Sequence, residues 1–185
     1  MGRDKAGLPA PPFRTLGERQ LAVLRAAGPC ECLVSARVGQ RLPDGVRDRV
    51  VTDDGAAGPL GGVIAILHAA RARHVLVLGV DLARMDAAML RRVVGAAPAG
   101  EHESGVIPRT RAAPQPLAGL WPRAMLPLAA RQLAAGRDLS LRTLIAAGME
   151  AGLLRWFDVP AWDEWRFANW NRPTDFAPIR GARTA

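Results

Sequence analysis

Residues His74 to Val80 read His-Val-Leu-Val-Leu-Gly-Val and run directly into Asp81. A short run that is apolar at every step, not at alternate steps, suits a strand covered on both faces, as in a parallel sheet between layers of helices. The flanking sequence agrees. Thr15 and Glu18 form a capping box opening a helix to about Ala27, where Gly28 stops it. Residues 32–35 and 49–52 read as short strands. Pro59 starts a helix that runs to about Ala72, and Asp86 caps another that runs to about Val94. Strands follow at Gly105–Arg109 and Leu117–Trp121, then a helix over Arg123–Ala135, one capped by Ser140, and a last strand over Leu153–Val159. Strand and helix alternate through the first half, with no internal repeat and no linker. The chain therefore reads as a single α/β domain with a mostly parallel sheet. In such sheets ligands bind beyond the carboxyl ends of the strands, the position Asp81 occupies.

The chain has 185 residues, enough for a real core, and 49% of them are hydrophobic. Tyrosine is absent, so Leu, Val and Ala must fill the interior. The net charge is +8. The arginines are scattered, not gathered into a run, which argues against a nucleic-acid arm and for a surface that attracts small anions such as nucleotides. Cys30 and Cys32 are the only cysteines. Their spacing is poor for a disulfide, and no second pair completes a zinc site, so reduced thiols in the cytoplasm are expected. No apolar run reaches membrane-spanning length and no signal segment opens the chain. The start Met1-Gly2 is not a myristoylation signal, because Ala6 stands where Ser or Thr is required.

Of the 25 lysines and arginines, only Lys5 is a lysine. A compact point charge kept among so many guanidinium groups either marks a position where a planar fork does not substitute or is a chance survivor in an Arg-rich sequence. Asp81 can hold a hard cation such as Mg²⁺ together with phosphate oxygens, or it can cap its turn. Asp53 and Asp54 also follow a strand and can meet a base or ribose, or serve the turn after them. Gly58-Pro59-Leu60-Gly61-Gly62 opens a helix whose backbone N–H groups can face an anion, although no Gly-Lys-Ser/Thr follows as in a Walker loop. His68, His74 and His102 have no metal spacing, and His68 and His74 read as structural. The tryptophans crowd toward the C-terminus and read as a hydrophobic cluster.

Taken in order, these motifs resemble the molybdenum cofactor guanylyltransferases of the nucleotidyltransferase superfamily. That family opens on a strand and Leu-Ala-Gly-Gly-x-Ser-x-Arg-Met-Gly-x-Asp-Lys, and Met1-Gly2-Arg3-Asp4-Lys5 matches its end. Val50-Val51-Thr52-Asp53, Gly58 to Gly62, Leu78-Gly79-Val80-Asp81, Gln115 to Trp121 and Asn169 to Asp175 match further family segments. The resemblance implies a three-layer, Rossmann-like fold of the nucleotide-diphospho-sugar transferase type. Its nucleotide-binding part would span about residues 1–95 and its acceptor part about 96–185.

The resemblance also implies a reaction: Mg²⁺-dependent transfer of GMP from GTP to molybdopterin, with release of pyrophosphate. Lys5 would neutralise the GTP phosphates and Asp81 would hold the metal. Ser35, Asp53, Gly58, Pro59 and Leu60 would contact the nucleotide, and Gln115, Asn169 and Asn171 the acceptor. Other proteins of molybdenum cofactor biosynthesis or molybdoenzyme maturation are the further partners implied. Neither nucleic acid nor membrane is expected.

The family's first strand and Leu-Ala-Gly-Gly loop have no counterpart here, and Ser35 and Arg37 stand where the family often has Asn-x-Asn. The expectation is therefore an N-terminally truncated domain, with a groove between two inner strands and Met1 an internal methionine of a longer protein. The rival readings are a molybdopterin cytidylyltransferase and an inactive nucleotide- or pterin-binding remnant.

Overall fold

The computed structural model describes residues 4–46, 49–53, 58–98 and 104–170. In chain order the elements are α1 (Leu16–Ala27), β1 (Leu33–Arg37), β2 (Arg49–Asp53), α2 (Pro59–Ala69), β3 (His74–Leu76), α3 (Ala87–Gly95), β4 (Gly105–Arg109), β5 (Leu120–Pro122), α4 (Leu126–Ala135), α5 (Leu141–Glu150) and β6 (Leu154–Asp158). Short 3-10 turns lie at Lys5–Gly7, Pro116–Ala118, Arg123–Met125 and Ala161–Phe167.

The caps read from sequence are where they were expected. Thr15 Oγ1 accepts the Glu18 N–H at 3.2 Å, and Gly28 ends α1 with φ 89°. Asp86 Oδ1 accepts the Met89 N–H at 2.9 Å, and Ser140 Oγ accepts the Thr143 N–H at 3.2 Å. Each satisfies an N–H that the first turn of a helix leaves without a partner.

Two sheets form. β1 and β2 pair in parallel, Leu33 opposite Arg49 and Arg37 opposite Asp53. The second sheet has the order β3-β5-β4-β6, with β4 and β6 parallel and β5 antiparallel to both of its neighbours. The α/β class holds, but β3 has an antiparallel partner in place of the parallel one expected. Its pairing runs nearly as far as the sequence suggested, since the Val77 N–H donates to Gly119 O at 2.9 Å and the Gly79 N–H to Leu117 O at 2.7 Å. The connection over residues 110–119 reverses the chain between β4 and β5, and a short reversal of this kind gives antiparallel strands. An apolar run reveals two covered faces; it does not reveal the direction of the neighbour.

Alternate residues of the larger sheet enter opposite layers. Ile107 and Trp121 pack with Leu60 and Leu67 of α2, Ala129 of α4 and Leu144 of α5. Val106 and Leu120 pack with Val93 of α3 on the other face. The result is three layers, as expected. Among the described residues no helix is long and apolar enough to cross a membrane.

Between β1 and the segment 76–80 that continues from β3 lies a cavity of ≈ 400 Å³. Its sides are β1 and this segment, and residues of α1 (Leu21, Leu24) and α2 (Val63, Ile66) also line it. The groove expected between inner strands is therefore present. Antiparallel alternation points the N–H and C=O groups of Val77 at β5, so those of Leu76 and Leu78 face the cavity.

Candidate active site

Ser35, Asp53, Gly58 and Pro59 line this groove, as do Asp4 and Ala6 on either side of Lys5 and Gly79 and Val80 ahead of Asp81. Lys5 sits in a 3-10 turn that Asp4 caps, its Oδ1 accepting the Ala6 N–H at 2.9 Å. Gln40, from the loop after β1, donates through Nε2 to Asp4 Oδ2 at 2.7 Å and accepts the Arg37 N–H at 3.0 Å. The turn is thereby tied to the end of β1. From it Lys5 Nζ reaches Asp81 Oδ2 at 3.4 Å, across 76 positions of sequence. Both side chains are about one-quarter exposed (28% and 23%), enough for a ligand to reach them.

Asp81 is held closely. Its carboxylate folds back over Gly79, where a Cβ would stand 2.9 Å from Asp81 Oδ1 and 3.0 Å from Leu117 Cβ, so a side chain at 79 would push the carboxylate away. The Trp170 N–H donates to Asp81 O at 2.9 Å. Asn169 is exposed and stands one residue from that contact.

Across the groove, Ser35 Oγ donates to Asp53 Oδ2 at 2.8 Å, joining β1 to the end of β2. Both residues line the cavity with Gly58, Pro59 and Asp4. Gly58 precedes α2 with φ 55° and ψ −136°, a backbone open to glycine, and no side chain caps that helix. Leu60 is fully buried in the core, so its part in any nucleotide contact is limited to its backbone. Gln115 spends its side-chain amide on its own loop, on Thr110 Oγ1 at 3.4 Å and Ala113 O at 3.3 Å. Asn171, Asp54, His102 and the Met1-Gly2-Arg3 part of the N-terminal motif lie outside the described residues.

Sequence reasoning missed Gln20, Gln40 and Trp170. Gln20 carried a signal: with Leu16, Leu21 and Leu24 it falls on the apolar stripe of α1, where a polar residue needs a buried partner. Gln40 and Trp170 lie in loop and tail, where no periodicity marks a partner.

Among the described residues no cluster of three or more His, Cys, Asp or Glu side chains is placed to hold a metal.

Residues 1–151 match the MobA-like NTP transferase domain family. A protein of Opitutus terrae named as a probable molybdenum cofactor guanylyltransferase is 36% identical over 178 residues, covering 95% of this chain and 86% of its own. The molybdenum cofactor guanylyltransferase of Pseudomonas putida is 30% identical over 145 residues, covering 77% and 72%. The crystal structure of molybdopterin-guanine dinucleotide biosynthesis protein A from Archaeoglobus fulgidus has the same fold, with a TM-score of 0.69 at 19% identity over 95% of this chain and 88% of that one. The chain is thus a nucleotidyltransferase of the MobA-like family, among the molybdenum cofactor guanylyltransferases.

Proposed function

We propose that this protein transfers GMP from GTP to the terminal phosphate of molybdopterin. The observation that carries the reading is the approach of Lys5 Nζ to Asp81 Oδ2 at 3.4 Å, the sequence neighbours of both lining the groove with Ser35, Asp53 and Gly58. In the reaction an acceptor phosphate oxygen forms a bond to the α-phosphorus of GTP, and the bond from that phosphorus to the β-bridging oxygen breaks. The electron pair leaves with pyrophosphate. The nucleophile is already an anion, so no strong general base is required, and catalysis consists of alignment and charge stabilisation.

Each residue has a task that its placement permits. Lys5 offers a mobile point charge to the phosphate oxygens. Asp81 holds the divalent cation, Mg²⁺, which when bound neutralises phosphate charge. Asp53, oriented by Ser35, meets the nucleotide, and the open start of α2 at Gly58 and Pro59 presents backbone N–H groups to an anion. Asn169, one residue from the backbone contact between Trp170 and Asp81, is assigned to the acceptor, as are Gln115 and, from the resemblance alone, Asn171. The reaction is assigned to the cytoplasm.

The test is to supply the protein with molybdopterin, Mg²⁺ and either GTP or CTP, and to follow the dinucleotide product by chromatography. Guanine dinucleotide should form and CTP should be used poorly. Preference for CTP makes the protein a cytidylyltransferase. No product from either nucleotide leaves it a binding protein.

A further inference from the structure

The buried amide of Gln20 spans from α1 to the turn that carries Asp81. Gln20 is 5% exposed. Its Nε2 donates to Gly79 O at 2.9 Å and to Leu82 O at 3.0 Å, and its Oε1 accepts from Arg19 Nη1 at 2.7 Å. The orientation of the amide follows from its partners: carbonyls can only accept, so the nitrogen must face them, and the guanidinium can only donate. One side chain thus uses both of its N–H groups on the carbonyls that bracket residues 80 and 81. Arg19 extends the tie, with Nη2 donating to Met85 O at 3.0 Å.

We infer that Gln20 is a positioning residue that sets the Asp81 carboxylate for the divalent cation and the GTP phosphates. The inference rests on the proposed role of Asp81. Other contacts share in fixing the turn: the Gly79 N–H donates to Leu117 O at 2.7 Å, the Met85 N–H to Leu82 O at 3.0 Å, and Leu82 is buried, but Gln20 is the side chain that joins the turn to α1. Leu82 N–H donates to Gly79 O at a long 3.3 Å, and the Trp170 contact acts on the Asp81 carbonyl from the C-terminal segment. Gln20 is the strut between the carboxylate's turn and a helix anchored by fully buried Leu16. Removing its donors leaves two carbonyls without that support and lets the turn relax, moving a carboxylate whose place Gly79 has been kept small to allow. Groups that orient a metal ligand without touching the metal commonly affect affinity by about 10–100-fold.

The experiment measures binding of the Mn²⁺ complex of α,β-methylene-GTP, which cannot transfer its nucleotidyl group, by water-proton relaxation. Four proteins are compared: the native chain, Asp81→Asn, Gln20→Met and Leu144→Ala. Met keeps the length of Gln and lacks the donors. Leu144 lies fully buried among the residues of the opposite face and reports on stability alone. Asp81→Asn should bind weakly, Gln20→Met should weaken binding by about tenfold, and Leu144→Ala should bind as the native protein does despite a lower Tm. If Gln20→Met does not fold, Gln20→Asn carries the same expectation, because its amide is one methylene short of the two carbonyls. Native affinity in the Gln20 variant beside weak binding in Asp81→Asn overturns the positioning role and leaves Asp81 in place. Native affinity in Asp81→Asn overturns the reading of Asp81 and this inference with it.

Discussion

Lys5 is readable as special because every other basic residue that could have been lysine is arginine, and Asp81 because it ends an apolar strand. The sequence could not show that the two meet. That depends on Asp4 and Gln40 fixing a short 3-10 turn at the end of β1. The difference between the cations predicts a graded result. Lys5→Ala should lower kcat/KM for GTP by about 10²–10³-fold, the usual cost of losing one charge-stabilising donor in a transfer site. Lys5→Arg should recover only part of this, because a planar fork cannot follow phosphate oxygens as a compact ammonium does. Initial rates of pyrophosphate release would measure both, and full activity in Lys5→Arg would remove the reason for a lone lysine. Gln20 escaped notice because a helix cap and an apolar stripe describe α1 well without it; its partners are carbonyls, which have no sequence identity.

Elements were most legible where a local signal fixes a local bond. Thr15, Asp86 and Ser140 all cap the helices assigned to them. β5 was less legible: Leu117 and Ala118 read as strand, but they belong to a 3-10 turn after Pro116, and the strand begins at Leu120. Ahead of α5, Asp138 Oδ2 accepts from the Thr143 hydroxyl and Asp138 Oδ1 from the Ser140 N–H at 2.9 Å. These bonds, the Thr143 hydroxyl first, hold the Asp138 carboxyl below the usual carboxylate range. A carboxyl depressed by folding contributes stability above its unfolded value, near 3.9, and that contribution is lost as pH falls through the lower folded value. Thermal unfolding of native protein and Asp138→Ala should therefore differ more at pH 7 than at about pH 3. An equal difference at both would show that the bonds do not favour the ionised form.

At the scale of the molecule, the α/β class was legible from strand–helix alternation, and the three layers and the groove from the resemblance, whose first strand has no counterpart here. Strand direction was not, since β3 is equally apolar beside a parallel or an antiparallel neighbour. The groove matters for function as well as for packing. It is lined by Ser35 and Asp53 from β1 and β2 and by the start of α2, and by Asp4, Ala6, Gly79 and Val80, the sequence neighbours of the paired Lys5 and Asp81. The central claim is that this arrangement transfers GMP. Its most direct measurement is the transfer of label from [α-³²P]GTP to molybdopterin by the native chain and by Asp81→Asn, with Mg²⁺. The account predicts labelled dinucleotide from the native protein and a loss of at least about 10²-fold in the variant. Native rates in Asp81→Asn would contradict it.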